Sequence, residues 1–117
     1  MQGIPGLHII ANLKTLNSEK LKDFKPFKAF ASEVIKKYSL TSVGEVYHNF
    51  EGGGYTGVLC LTESHLSIHT WPEHHYITFD VFLSNYLKDN RKVTELIYRE
   101  VIEFFNADVA FEQIIDR

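Results

Sequence analysis

The chain has 117 residues, of which 44% are hydrophobic and 14% aromatic, with a formal net charge of −3 at pH 7. This length and composition predict one domain, 1–117, with its own core, and they exclude a disordered chain. The charge lacks the basic excess of a general nucleic-acid-binding domain, so we expect no nucleic-acid partner.

Two further features bear on location. No apolar run reaches the roughly 20 residues that span a bilayer, and the first residues lack the basic start of a signal peptide. Cys60 is the only cysteine, so no internal disulfide can form, as suits a reducing compartment. We therefore expect a cytoplasmic protein without a membrane partner.

Hydrophobic periodicity predicts eight elements in the order β-α-β-β-β-β-α-β. The strands are predicted at 6–13, 40–50, 58–62, 64–71, 76–83 and 107–115, and the helices at 26–38 and 89–106. Pro26 suits the first turn of the first helix, and Asp89 or Asn90 can cap the second. Strands clustered between two helices favour an α+β fold, a two-layer α/β sandwich. Its sheet would be mainly antiparallel with both helices on one face, leaving the other face for a dimer contact or a site.

Residues 61–75, LTESHLSIHTWPEHH, concentrate polar side chains in a predicted strand and the turn after it. His65 and His69 are four apart and so share one face of the strand. With His74 or His75 they could hold a metal ion in three-ligand geometry. The chain has neither a cysteine cluster nor an HExxH helix, so we predict no metal site.

Two other familiar motifs are incomplete. Gly52, Gly53 and Gly54 lack the lysine and the following helix of a phosphate-binding P-loop, and a mobile hairpin loop is the simpler interpretation. Ser64 lacks the G-x-S-x-G elbow of many serine hydrolases, although histidines and carboxylates surround it in sequence. Neither motif predicts a function.

The string ESHLSIHTWPE at 63–73 closely resembles the processing-site signature of the small prokaryotic S-adenosylmethionine decarboxylases, the pyruvoyl enzymes of spermidine synthesis. The segments at 6–13, 48–57 and 76–82 also resemble parts of that family. The resemblance therefore covers most of the chain in element order, and only 63–73 is highly specific.

This resemblance implies that the chain cleaves itself between Glu63 and Ser64. The Ser64 Oγ atom would attack the carbonyl carbon of Glu63, and β-elimination would then break the chain. The products would be a β chain, 1–63, and an α chain, 64–117, that begins with a pyruvoyl group made from Ser64.

The resemblance also assigns roles to other residues and implies S-adenosylmethionine as the substrate. His69 would transfer protons during processing, and Thr56 would supply a hydroxyl where the family commonly has serine. Phe50 would stack on the adenine, and Glu73 would bind the ribose hydroxyls. The pyruvoyl group would form a Schiff base with the substrate amine and accept electrons as carbon dioxide leaves. The processed units would pair as a homodimer that shares the site, with no metal cofactor.

One position departs from the family pattern. Ser84 stands where the family has a cysteine that protonates the substrate α-carbon, and a thiol with a pKa of about 8.5 is a far better proton donor than an aliphatic hydroxyl. Three interpretations stay open: an altered enzyme in which Ser84 relays a proton from water or a histidine, a pyruvoyl-dependent arginine or ornithine decarboxylase, or a non-catalytic, unprocessed relative. Cys60, on the preceding strand, is expected to be a buried small hydrophobic residue and not a substitute.

Overall fold

The computed structural model describes residues 4–85 and 88–117 of the chain, so positions 1–3 and 86–87 of the predicted domain lie outside the described residues. The strands are β1 (Leu7–Lys14), β2 (Ser42–Asn49), β3 (Tyr55–Leu61), β4 (Ser64–Trp71), β5 (Tyr76–Leu83) and β6 (Asp108–Asp116). The helices are α1 (Phe24–Lys37) and α2 (Arg91–Phe105), with short 3₁₀ helices at Ser18–Leu21 and Pro72–His74. None of the helices in the described ranges is both long enough and apolar enough to span a membrane.

All six strands form one sheet in the spatial order β2-β3-β4-β5-β1-β6. Every pair of neighbouring strands is antiparallel. The hairpins β2–β3, β3–β4 and β4–β5 form four neighbouring strands of the sheet, and β1 lies between β5 and β6. The predicted α+β class with a mainly antiparallel sheet is confirmed.

The core lies between one sheet face and the two helices. Along β4, Leu66, Ile68 and Thr70 are buried on this face, as the alternation of a strand requires. The two helices meet where the Phe27 ring of α1 stacks on the Phe105 ring of α2, with centroids 5.9 Å apart. Both helices therefore cover one face, and we call the other face of the sheet the open face.

The predicted boundary of β3 was wrong. We expected a loop through residue 57, but β3 begins at Tyr55 and pairs along its length with β2. The Tyr55 side chain is fully buried, and its backbone N–H donates to the Thr70 Oγ1 atom at 2.9 Å. The long-range pairing of this segment outweighs its glycine-rich composition, and only Gly52, Gly53 and Gly54 keep positive φ angles.

The helix starts also differ from the prediction. Helix α1 begins at Phe24, because the Asp23 Oδ1 atom accepts the Lys25 N–H at 2.8 Å. Asn90 occupies the N-cap position of α2 without a side-chain cap. Asp89 accepts the Arg91 N–H at 3.0 Å instead, so of the two predicted cap residues Asp89 supplies the hydrogen bond.

Candidate active site

The bond between Glu63 and Ser64 lies at the tip of the β3–β4 hairpin. Leu61 pairs with Ser64, so only Thr62 and Glu63 form the turn. Neither turn residue has a positive φ angle, whereas the commonest two-residue hairpin turns require one. The Thr62 backbone N–H and hydroxyl both donate to the Thr41 carbonyl, at 3.2 and 3.4 Å. The tip of the hairpin is therefore fixed by hydrogen bonds to Thr41, a residue that precedes β2.

Ser64 and Ser84 meet at this end of the sheet, although they are twenty positions apart. The Ser84 backbone N–H donates to the Ser64 Oγ atom at 3.0 Å. The Ser84 carbonyl in turn accepts from the Asn90 side chain at 2.9 Å. The structure thus places the family's cysteine position directly against the serine that the resemblance implies is cut.

A pocket of about 350 Å³ opens beside this contact. Its lining includes Glu63, Ser64, Ser84, Lys88 and Asn90. The buried Oδ1 atom of Asn90 has no hydrogen-bond partner within the described ranges. The predicted scissile bond therefore borders a space that a small molecule could enter.

Thr56 and His69 lie at the far end of the same hairpin. They are direct cross-strand partners, and the Thr56 Oγ1 atom is 2.9 Å from the His69 Nδ1 atom. Both side chains are partly buried and lie on the open face. The sequence predicted a role for each residue, and the structure brings these two together.

Phe50 and Glu73 lie at this far end as well. Phe50 follows β2 and is 38% exposed, and Glu73 is exposed in the short helix after β4. Gly54 joins the two segments: a Cβ atom on it would lie 3.3 Å from the Phe50 ring and 3.1 Å from Pro72. The predicted adenine and ribose contacts are thus neighbours.

The predicted site residues therefore form two groups in one chain. Glu63, Ser64 and Ser84 stand at the start of β4, and the other four stand near its end. Seven positions of strand separate the ends of β4, which is about 23 Å. Ser64 and His69 are also an odd number of positions apart, so their side chains leave opposite faces of the strand. One chain does not bring His69 to Ser64.

The sequence interpretation missed a polar network on the open face, centred on Asp80 of β5. The Nε2 atoms of His8 and His65 each lie 2.8 Å from the Asp80 Oδ2 atom, and the Ser67 hydroxyl donates to Oδ1. Burial alone would raise the pKa of Asp80, but the hydrogen bonds from Ser67, His8 and His65 hold it below its usual value. The sequence did contain one indication of this network, because Asp80 is the single carboxylate in the otherwise mostly apolar run YITFDVF of β5.

His8, His65 and Asp80 could be mistaken for a metal centre, because their donor atoms lie within 4.8 Å of one another. The Arg117 Nη1 atom is 3.1 Å from the His8 Nδ1 atom. Arginine can only donate, so the His8 Nδ1 atom accepts and the ring proton sits on Nε2, facing Asp80. A metal ion at Asp80 would need the lone pair of that same Nε2. These residues fit a hydrogen-bonded network better than a metal cage.

Cys60 also differs from expectation. It is exposed, not buried, and it stands directly opposite His65 on the open face. The prediction of a buried small hydrophobic residue was wrong, because β3 turns its even-numbered positions away from the helices.

Known proteins match the chain over nearly its whole length. A family model described as S-adenosylmethionine decarboxylase matches residues 7–114. The S-adenosylmethionine decarboxylase proenzyme of Archaeoglobus fulgidus is 36% identical over 114 residues, covering 97% of this chain and 98% of the relative. The proenzyme of a Sulfurihydrogenibium species is 37% identical over 99 residues, covering 85% of this chain and 74% of the relative.

A solved structure agrees with the same assignment. The crystal structure of the adenosylmethionine decarboxylase from Aquifex aeolicus matches with a TM-score of 0.81 and 31% identity, covering 97% of this chain and 91% of that one. The family predicted from residues 63–73 is confirmed. The chain belongs to the S-adenosylmethionine decarboxylase family.

Proposed function

We propose that this protein is a self-cleaving, pyruvoyl-dependent decarboxylase that acts on S-adenosylmethionine and supplies the decarboxylated product for spermidine synthesis. The observation that carries the proposal is the position of Ser64. It follows the hairpin turn, borders an open pocket and is bound through its Oγ atom by the backbone of Ser84. Its sequence context, 63–73, is the segment that specifies the family.

The cleavage uses only atoms of the chain and one water molecule. The Ser64 Oγ atom attacks the Glu63 carbonyl carbon, the peptide C–N bond breaks, and an ester replaces it. Loss of the Ser64 α-proton then expels the Glu63 carboxylate and leaves a dehydroalanine. The dehydroalanine, an enamine, tautomerises to its imine, and hydrolysis of that imine releases ammonia and leaves a ketone at residue 64. The hydrogen bonds that fix Thr62 to Thr41 and Ser64 to Ser84 hold both sides of the bond during these steps.

The local chemistry fits a pyruvoyl group, because a serine with an accessible neighbouring pocket stands where that group must form. When present, the group supplies a ketone that binds the substrate amine and withdraws electrons as carbon dioxide departs. The chain's own residues bind and orient the substrate: Phe50 stacks on the adenine, and Glu73 accepts hydrogen bonds from the ribose hydroxyls. Thr56 and His69 form the hydroxyl–imidazole pair that moves protons during cleavage.

These roles require two chains, so we propose a homodimer of processed units. The two ends of β4 are about 23 Å apart, and this distance prevents one chain from completing the site. Thr56 and His69 lie on the open face, as do the exposed apolar residues Val58 and Phe111. A twofold axis through two facing sheets would bring the His69 end of one chain to the Ser64 end of its partner.

Mutation of the open face tests the homodimer. Phe111 is 49% exposed and pairs with Asn12 on the open face, whereas Ile114 is 53% exposed and pairs with Ile9 on the helix side. Phe111→Lys should give monomers in sedimentation at micromolar concentration, and Ile114→Lys should stay dimeric. Dimers that survive in Phe111→Lys but not in Ile114→Lys would refute the open-face interface.

Mass spectrometry tests the cleavage. The native chain should convert from one species into fragments 1–63 and 64–117, the second beginning with a ketone. Ser64→Ala should stay intact with an unchanged circular dichroism spectrum, and Ser32→Ala, an exposed serine of α1, should still cleave. A native chain that persists uncut after prolonged incubation would sink the proposal.

Release of carbon dioxide from separate substrates tests the specificity. S-adenosylmethionine should be decarboxylated, while arginine and ornithine, which cannot use an adenine stack or a ribose contact, should not. Phe50→Ala should raise KM for S-adenosylmethionine with little change in cleavage. Preferred turnover of arginine or ornithine would overturn the substrate assignment.

A further inference from the structure

His65 is the titratable side chain of the open face that directly follows the predicted cleavage site. Its Cα atom is about 3.8 Å from that of residue 64, as in any trans peptide. The His65 side chain is 39% exposed, and its Nε2 atom lies 2.8 Å from the Asp80 Oδ2 atom. Within residues 4–85 and 88–117, the His65 Nδ1 atom has no hydrogen-bond partner. One ring nitrogen is therefore fixed and the other is free.

The Asp80 network sets the orientation of that ring. Asp80 is an ionised carboxylate, because its hydrogen bonds lower its pKa despite partial burial. An ionised carboxylate only accepts, so the His65 Nε2 atom must carry a proton toward it. Any further proton that the ring gains or gives up therefore resides on Nδ1. This is how a carboxylate prepares a histidine for acid–base chemistry.

Decarboxylation creates a need for such a group. Conversion of a carboxylate into carbon dioxide and a new C–H bond consumes one proton in each turnover. The Ser84 hydroxyl, at the position of the family's cysteine, is too weak an acid to supply it efficiently. A substrate joined to residue 64 and held by Phe50 and Glu73 of a facing chain would extend from the pocket beside Ser64 to the open face, where the side chain of the next residue, His65, lies.

We propose that His65, oriented by Asp80, donates the proton that replaces carbon dioxide on the substrate α-carbon; this role rests on the decarboxylase function proposed above. The Nδ1 proton of the imidazolium passes to the α-carbon. The neutral ring then takes a proton from solvent, so the overall balance is closed.

Other titratable or charged groups face His65 from each neighbouring strand. Cys60 of β3 stands opposite it, Asp80 of β5 binds it, and the His8 ring of β1 lies edge-on at 5.5 Å between centroids. Arg117 binds the Nδ1 atom of His8 and also lies over the Phe82 ring, with its guanidinium carbon 5.7 Å from the ring centroid. Cys60 is a competing acid, since a thiol could take the family's role from a new position.

The experiment compares self-cleaved native protein with His65→Gln, Cys60→Ser and His74→Gln, after mass spectrometry has shown that each has cleaved. His65→Gln should lower kcat on S-adenosylmethionine by the order of 10²-fold, the usual contribution of a positioned general acid. It should also flatten the pH dependence of the rate, because glutamine cannot supply the proton. His74, exposed in the short helix after β4, is the matched histidine control and should keep both the rate and the profile.

Two further measurements distinguish a proton-donating role of His65 from a purely structural one. In deuterium oxide, native protein should label one face of the α-carbon, whereas His65→Gln should label both faces, because solvent then supplies the proton. Adding Ser84→Cys to His65→Gln should restore part of the rate by returning a thiol. Independently of activity, nitrogen NMR of the uncut Ser64→Ala chain should show the His65 Nε2 atom protonated throughout and Nδ1 gaining its proton on acidification.

Each outcome decides a different point. Native protein that releases no carbon dioxide overturns the decarboxylase proposal and this inference together. Native activity with an unchanged rate and stereochemistry in His65→Gln overturns only the role of His65. Loss of the rate in Cys60→Ser but not in His65→Gln assigns the proton to the thiol and also overturns it. NMR that places the neutral-ring proton on Nδ1 removes the basis of the assignment.

Discussion

Gly54 lies at the end of the site where we propose that the substrate binds, and it packs against Phe50 and Pro72. Its φ angle is +100°, and a Cβ atom there would lie 2.8 Å from the Thr70 carbonyl oxygen and 3.1 Å from Pro72. Its carbonyl also accepts the Phe50 N–H at 2.8 Å. Gly54→Ala therefore has two costs. The disfavoured backbone conformation costs about 1–3 kcal/mol. The close contact of the new methyl group with the Thr70 carbonyl oxygen forces the backbone to shift, which costs about 1–3 kcal/mol more.

The expected loss is the sum of these two effects, about 2–6 kcal/mol of unfolding free energy, a large fraction of the roughly 5–15 kcal/mol of a typical domain. Urea denaturation at one fixed protein concentration measures it, in the uncut Ser64→Ala background so that a single chain unfolds. Gly44→Ala is the matched control, since no atom lies within 4 Å of its Cβ and its φ angle is ordinary. That control should be neutral or stabilising by about 0.5–1 kcal/mol.

Gly54→Ala should also displace Phe50, so its effect on function can be measured as well. In the cleaved protein, Gly54→Ala should raise KM for S-adenosylmethionine, and Gly44→Ala should leave it unchanged. Equal stability of the two alanine variants would refute the reasoning from Gly54, whatever the kinetics show. A lowered stability with an unchanged KM would refute only the link between this loop and the substrate.

Two further predictions concern buried polar groups. Thr70→Val should destabilise the protein by about 2–6 kcal/mol, because the hydroxyl accepts the Tyr55 N–H and donates to the Leu21 carbonyl, and each orphaned buried group costs about 1–3 kcal/mol. Thr70→Ser should keep most of that stability in urea denaturation, and equal losses in both variants would point to the methyl group instead. Asp80 has a lowered pKa in the folded state, so its charge contributes stability above its unfolded pKa of about 3.9, which is lost as pH falls through the folded pKa. The stability difference between native protein and Asp80→Asn, followed by urea denaturation against pH, should therefore shrink on acidification below about pH 4, and a difference that grows there would contradict this sign.

The sequence by itself determined the fold class and the family. The order of strands and helices follows from period-2 and period-3.6 patterns, which depend only on neighbouring residues. The ESHLSIHTWPE segment identified the family because its residue order is specific, and by resemblance it predicts that the chain is cut before Ser64. Local patterns were less able to set the start of β3, since the pairing of Tyr55 with Asn49 and its hydrogen bond to Thr70 depend on the two neighbouring strands.

Only the tertiary structure decided how the site residues are grouped. Strand register places Ser84 against Ser64 and His69 against Thr56, and it separates the two pairs by the length of β4. Register also exposes Cys60 and gathers His8, His65 and Asp80, which lie in three different strands. No local pattern contains this information, because the contact between two strands depends on how the whole sheet is assembled, with β1 inserted between β5 and β6.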